Sequence, residues 1–169
     1  MEELTYGDYT GRILYDAYPD SPRVEGENLG KMRLDRLPRR TSHMEEVDTT
    51  DIAIDIPVYI YSHSGDTISV KPFSCPWDSW RAGSIVATRQ DILKAFNKKR
   101  LSKKMLEQVR KVLEWEVETY DMYLRGEVYS LDIYYKGEQQ ESCHNIYGEK
   151  AARALFEEAA DVPTVKKVA

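Results

Sequence analysis

Hydrophobic and polar positions alternate strongly in the middle of the chain, and this pattern predicts strands. Residues 52–61, 67–70 and 83–87 carry apolar side chains at every second position or in short β-rich runs. The turn residues at 63–66 join the first two segments as a hairpin. Pro57 indicates either an edge position or a break between two strands, because proline cannot donate to a sheet ladder.

A long amphipathic helix is the clearest element, and it is predicted to start after Ser102 and to stop at Gly126. Its apolar residues recur every three or four positions, at Leu106, Val109, Leu113, Val117, Tyr120 and Leu124. Shorter helices are predicted over 89–97, after a cap at Thr88, and over 149–160. Between them, residues 127–135 and 139–143 alternate as a second hairpin.

This order of elements predicts an α+β fold, in which a mainly antiparallel sheet of hairpins carries one long and two shorter helices. A chain of 169 residues can bury a core without disulfides or metals, and we expect a single domain over 1–169. Residues 1–50 are predicted to be irregular and turn-rich, with short strands near 12–15 and 31–40. Residues 51–161 form the predicted compact core, and 162–169 the tail.

Composition indicates a reducing compartment and an ordinary globular protein. The chain has no apolar run near the ~18 residues of a membrane span, and its acidic N-terminus lacks a signal pattern. Two cysteines are too few for a disulfide framework. The net charge of −5 argues against a general nucleic-acid binder, so direct nucleic-acid binding is not expected. The 12 tyrosines suit either strands or a recognition surface.

The segment from His63 to Arg81 contains every residue type that a nucleophilic site needs. His63 is a candidate base, Asp78 a candidate orienting carboxylate and Cys75 a candidate nucleophile. No nucleophile elbow or established cysteine–histidine signature accompanies them. Because Asp and Ser side chains often close loops by bonding backbone amides, we favour a structural or recognition loop over a catalytic one.

A binding surface is predicted on the long helix and on the same loop. Trp115 and Met122 lie seven residues apart and roughly opposite the apolar stripe, so they are available to a partner or to another element. The remaining candidates are acidic residues late in the helix and aromatic residues of the loop, namely Glu114, Glu118, Asp121, Trp77 and Trp80.

No cofactor and no metal site are predicted. Cys143 and His144 are metal-ligand types, but neighbouring residues in a strand point to opposite faces, and the spacing matches no standard zinc pattern. A Walker A motif and a GxGxxG motif are both missing, so nucleotide binding has no support.

Several motifs resemble those of a family of small uncharacterised bacteriophage and prophage proteins. The central resemblance lies in 59–65 (YIYSHSG) with 72–79 (PFSCPWDS), and further matches are 28–32 (NLGKM), 116–121 (EVETYD), 142–143 (SC) and 147–148 (YG). The sequence departs from the family pattern at 33–36, where a histidine–arginine–arginine–tyrosine stretch is usual, and at Trp80, where glycine is usual. The resemblance implies a phage gene expressed in the host bacterial cytoplasm, and no particular mechanism.

Our leading hypothesis is a phage-encoded accessory protein that binds a bacterial host protein and inhibits a defence system of the CRISPR–Cas or restriction type without catalysis. A defence nuclease or its complex is the expected partner, and no membrane is involved. Two alternatives stay open. The first is a small hydrolase or nucleotide-cleaving enzyme that uses His63, Cys75 and Asp78. The second is a phage structural or DNA-metabolism accessory protein.

Overall fold

The structure is a computed structural model that describes residues 2–24, 27–35 and 43–161. Within these residues every strand pair is antiparallel and three helices are present, which confirms the α+β class. The strands are β1 (Glu2–Tyr6), β2 (Tyr9–Tyr15), β3 (Lys31–Leu34), β4 (His43–Met44), β5 (Ile52–Ser62), β6 (Asp66–Ser69), β7 (Ser79–Thr88), β8 (Val128–Tyr135) and β9 (Glu138–Tyr147). The helices are α1 (Arg89–Ala95), α2 (Lys103–Arg125) and α3 (Glu149–Ala159).

The chain divides into two compact units. Unit 1 comprises Met1–Ser21 and Gly126–Ala169, and unit 2 comprises Pro22–Arg125. The N-terminal fifty residues contain strands β1 to β4, so they hold more regular structure than the irregular segment that the sequence predicted. The prediction of a single folding domain stays a prediction. The predicted tail over 162–169 and residues 36–40 of the predicted strand over 31–40 lie outside the described residues.

Unit 1 is a four-stranded sheet in the order β1-β2-β8-β9, with α3 packed on it. The hairpin between β8 and β9 turns through Lys136 and Gly137, whose φ angles of 51° and 84° are those of a type I′ turn. Phe156 of α3 lies so close to β2 that a Cβ on Gly11 would meet its ring at 2.4 Å. The buried core comprises Ile13, Tyr129, Leu131, Ile133, Ile146, Ala152, Phe156 and Ala160.

Unit 2 is a five-stranded sheet in the order β4-β3-β7-β5-β6, on which helix α2 packs. The predicted cap of α1 is present, since Thr88 Oγ1 accepts a hydrogen bond from the Asp91 amide at 3.1 Å. The Ser102 hydroxyl likewise accepts one from the Met105 amide, at 3.2 Å, before α2 begins. Met105, Val109, Leu113, Val117 and Tyr120 form the buried stripe of α2.

The structure decides between the two alternatives predicted for Pro57, and it corrects the predicted start of β7. Strand β5 continues through Pro57, which pairs with Ser84 of β7, whereas β6 pairs only with the later part of β5, from Tyr59 to Ser62. Of the two predicted interpretations of Pro57, the break between strands is wrong, and the proline lies where one side of β5 has no partner in the described sheet, as an edge position allows. Strand β7 begins at Ser79 rather than near Gly83, so the irregular loop ends at Asp78.

Candidate functional site

The loop that joins β6 to β7 is closed by its own polar groups. The Ser62 amide donates to the Asp78 carbonyl at 2.9 Å, which ties the end of β5 to the end of the loop. The Ser79 hydroxyl donates to the Cys75 carbonyl. One of these bonds joins two backbone groups, and the other joins a side chain to the backbone. Bonds of the second kind are a common way for serine side chains to close a loop.

The structure brings the three catalytic candidates together around one oxygen atom. Asp78 Oδ2 lies 3.5 Å from His63 Nδ1 and 3.8 Å from Cys75 Sγ. In nucleophilic triads the imidazole lies between the nucleophile and the carboxylate, because it must take the proton from the nucleophile. Here the carboxylate lies between the thiol and the imidazole. The arrangement suits a hydrogen-bonded loop better than a cysteine nucleophile activated by histidine.

Asp66 closes the turn between β5 and β6, which carries His63. Its side chain is buried, and its Oδ1 accepts a hydrogen bond from the Ser62 hydroxyl at 2.6 Å. Its Oδ2 is buried and has no hydrogen-bond partner among the described residues. Asp66 thus fixes the turn between β5 and β6, beside His63.

Aromatic side chains form the outer face of this loop. Trp77 is 89% exposed, whereas Trp80 is half-buried against the core of unit 2. The Tyr61 ring lies 5.8 Å from the Phe73 ring and 6.5 Å from the His63 ring, measured between centroids. Of the two tryptophans predicted to bind a partner, Trp77 of the loop presents its indole ring to solvent, whereas Trp80 belongs to β7.

A groove of about 460 Å³ lies between α2 and the segment that runs from β6 into the loop. The predicted acidic residues Glu114, Glu118 and Asp121 all line it, and Phe73 lines it from the loop. The groove therefore joins the loop to the acidic part of α2 on one face of unit 2. Its complete lining is Thr67, Ile68, Ser69, Val70, Lys71, Phe73, Glu114, Val117, Glu118, Asp121 and Arg125.

Asp121 differs from the other two carboxylates of the groove because it is buried and bonded. Its Oδ1 accepts a hydrogen bond from the Ile68 amide of the edge strand β6 at 2.7 Å, and its Oδ2 lies 3.0 Å from Arg125 Nε. Asp121 therefore attaches β6 to α2. Glu114 and Glu118 are exposed, and so are the cations Lys71 and Arg125 of the same groove. The lining therefore has three carboxylates and two cations.

The two apolar residues predicted on the far face of α2 differ in exposure. Trp115 is 63% exposed and Val112, one turn earlier, is also exposed, whereas Met122 is half-buried. Trp115 and Val112 form a small apolar patch on the helix surface.

Unit 2 contains a network of ionic side chains that the sequence did not predict. The side chain of Arg23 is 1% exposed, and its guanidinium contacts Glu45 and Glu116 at 2.8 Å each. Glu116 is also buried, and it accepts hydrogen bonds from the amides of Leu29 and Gly30 at 2.8 and 3.2 Å. These residues are far apart in sequence, so no local pattern marks them as partners.

No metal site is found in the part of the chain that the structure describes. No group of three or more His, Cys, Asp or Glu side chains there is placed to hold a metal ion. Cys143 is half-buried, and burial together with the carboxylate of Glu141 raises the pKa of its thiol. No described helix is long and apolar enough to cross a membrane.

Comparison with known proteins gives no relative from which a function can be transferred. No family model matches the sequence, and no curated protein and no solved structure match the chain. The resemblance to the phage family therefore stays an expectation from the motifs, and the function has to be argued from the geometry.

Proposed function

We propose that the protein is a phage-encoded accessory protein that binds and inhibits a bacterial defence system, of the anti-CRISPR or anti-restriction type, without catalysis. The observation that carries the binding part of this proposal is Trp77, an indole ring 89% exposed on a loop closed by its own hydrogen bonds. Exposed tryptophans on ordered surfaces are typical centres of binding energy, because they bury a large area at little entropic cost.

The surroundings of Trp77 favour a protein partner with a basic surface. The groove beside the loop carries the exposed carboxylates of Glu114 and Glu118, and Phe73 connects it to the loop. Lys71 and Arg125 also line it, and Arg125 is paired with Asp121, so carboxylates outnumber cations by three to two. Charge complementarity of this kind accelerates association and sets the orientation of the partner. A nuclease offers a basic surface where it holds nucleic acid, so a defence nuclease or its complex fits both the aromatic and the acidic part of the face.

The cellular setting of this proposal rests on the motif resemblance. A phage gene product of this kind acts in the host bacterial cytoplasm, where defence nucleases are found. The loop geometry supports inhibition by binding rather than by chemistry, since the carboxylate of Asp78 separates Cys75 from His63.

Replacing Trp77 with alanine is expected to weaken partner binding at least about 30-fold, equivalent to ~2 kcal/mol, because the loss removes the central buried ring of the interface. The assay is phage plating or plasmid survival in hosts that carry defined CRISPR–Cas or restriction systems, followed by affinity measurement with the protected system's nuclease. Tyr18→Ala is the matched control, since Tyr18 is 90% exposed but belongs to unit 1. Full protection by W77A would contradict the proposal.

The double variant His63→Ala, Asp78→Ala distinguishes the hydrolase alternative from inhibition by binding. Because the contact between His63 and Asp78 is partly exposed, we expect a loss of at most ~1 kcal/mol in unfolding free energy and protection within a few-fold of wild type. Melting temperature and the same survival assay measure the two quantities. Loss of protection at unchanged melting temperature would favour an enzyme that uses these residues.

A further inference from the structure

Strand β9 of unit 1 contains a bulge that redirects its polar side chains. Leu131 of β8 pairs with Cys143 and Tyr129 pairs with Ile146, so two residues of β9, His144 and Asn145, oppose one residue of β8. Asn145 adopts a left-handed conformation with φ of 57°. Bulges of this kind re-aim side chains and are frequent beside active sites.

The bulge fixes the carboxylate of Asp16, which follows β2. Asp16 Oδ2 accepts a hydrogen bond from the Asn145 amide at 3.0 Å, and Oδ1 accepts one from the Tyr18 amide at 3.1 Å. The side chain of Asp16 is only 9% exposed. The Asn145 amide, against the opposing effect of burial, keeps the pKa of Asp16 below its usual value. Asp16 is therefore an oriented, ionised carboxylate at neutral pH.

His144 lies between this carboxylate and a hydroxyl group. Its Nδ1 is 3.7 Å from Asp16 Oδ2, and its Nε2 is 3.4 Å from Ser142 Oγ. A proton on Nδ1 facing Asp16 leaves the lone pair of Nε2 facing the hydroxyl. Both contacts are longer than a formed hydrogen bond, as catalytic contacts often are before substrate binds. In this cluster the imidazole lies between the carboxylate and the hydroxyl, which is the order found in nucleophilic triads. In the loop of unit 2, by contrast, the carboxylate lies between the other two groups.

We propose that Ser142, His144 and Asp16 form a nucleophilic site for carboxylic esters. Ser142 Oγ attacks the carbonyl carbon, its proton passes to His144 Nε2, and the carbonyl electron pair moves onto the oxygen. When that pair returns, the bond to the leaving alkoxide breaks and the alkoxide takes the proton from His144. Water then releases the acid from Ser142 by the same proton path. Asp16 is a positioning residue, since it acts through His144.

Asp132 competes with His144 for the proton of Ser142. The Ser142 hydroxyl donates to Asp132 Oδ1 at 2.6 Å, so it must rotate about its Cβ–Oγ bond before His144 can take the proton. Replacing Asp132 with alanine removes the competing acceptor and is expected to increase the reactivity of Ser142. If Asp132 were itself the base, the same change would abolish the reaction. The site is independent of the binding function proposed for unit 2.

The test is covalent labelling of the full chain with an alkyl fluorophosphonate, followed by peptide mass spectrometry. The Ser142 Oγ–P bond forms, the P–F bond breaks, fluoride leaves and His144 takes the proton. We expect an adduct on Ser142, none in Ser142→Ala, and labelling about 100-fold slower in His144→Ala. Ser74→Ala, an exposed serine of unit 2, is the matched control and is expected to label normally. No adduct on Ser142 under conditions that label a reference serine hydrolase would overturn the proposal.

Chemical rescue distinguishes a role of His144 and Asp16 in the reaction of Ser142 from a purely structural role. Added imidazole is expected to restore labelling in His144→Gly, since it replaces the missing base. Asp16→Asn is expected to slow labelling when His144 is present and to have no further effect in His144→Gly, because the ring that Asp16 orients is then gone. Normal labelling in His144→Ala, or loss of labelling in Asp132→Ala at unchanged melting temperature, would contradict the assignment.

Discussion

Replacing Glu116 with alanine is expected to lower the unfolding free energy of unit 2 by about 3 to 5 kcal/mol, which is the usual cost of removing one partner from a buried ion pair. Glu116 is 4% exposed, and its carboxylate bonds both Arg23 and the amides of Leu29 and Gly30. The variant leaves the buried guanidinium with one carboxylate partner fewer. It also leaves two backbone amides without their acceptor, which costs about 1–3 kcal/mol for each buried group.

Urea unfolding followed by tryptophan fluorescence measures this loss. The three tryptophans of the chain, Trp77, Trp80 and Trp115, all belong to unit 2, so their emission reports on that unit. Glu118→Ala is the matched control, because Glu118 is an exposed glutamate on the same helix. Its effect is expected within about 0.5 kcal/mol of zero. A loss below ~1 kcal/mol for Glu116→Ala would mean that the network contributes little to folding.

Two motifs of the phage resemblance meet in this network. The carboxylate of Glu116, from the EVETYD stretch, binds the amides of Leu29 and Gly30 from the NLGKM stretch. A Cβ on Gly30 would lie 2.7 Å from Ile85 Cδ1 and 3.0 Å from Glu116 Oε2, so a larger residue there would have to displace the Ile85 side chain or the Glu116 carboxylate. In this chain these motif residues hold a turn against a helix. Their presence is explained by folding and does not by itself indicate a reaction.

The elements that the sequence predicted well are those with local causes. The 3–4 spacing of apolar residues and the hydroxyls of Thr88 and Ser102 placed the helices within one or two residues of where α1 and α2 begin. The hairpin turn at 63–66 was likewise marked by turn residues. Each of these signals acts within a few residues, so it is visible without knowledge of the rest of the fold.

Long-range pairing was not predictable in the same way. Strand β2 pairs with β8 across more than a hundred residues, and no local pattern specifies that partner. The candidate site shows the same limit. The sequence named His63, Cys75 and Asp78 as neighbours, but the order of the three groups around one oxygen is a property of the folded loop. The predicted strand over 139–143 ended before His144, whereas β9 continues to Tyr147 and contains a bulge at His144 and Asn145 that was not anticipated.

Acid is expected to destabilise unit 2 through Glu45 by on the order of 3 kcal/mol. Burial alone would raise the pKa of Glu45, but hydrogen bonds from His43, Arg23 and the Met32 amide outweigh it and lower the pKa from 4.5 to about 2. A carboxylate whose pKa is lower in the folded state stabilises the fold above its unfolded pKa. This contribution is complete above about pH 4.5 and is lost as the pH falls toward 2.

Glu45→Gln isolates this contribution, since glutamine keeps the shape of the side chain and does not titrate. The difference in unfolding free energy between wild type and Glu45→Gln, measured in urea between pH 7 and pH 2, is expected to shrink as the pH falls below 4.5. Other carboxylates titrate in both proteins, so their effects cancel in the difference. Glu46→Gln serves as the control because Glu46 is exposed, and its difference from wild type is expected to stay constant. A constant difference for Glu45→Gln as well would show that Glu45 has an ordinary pKa in the folded protein and that the bonds to Arg23 and His43 do not hold it ionised.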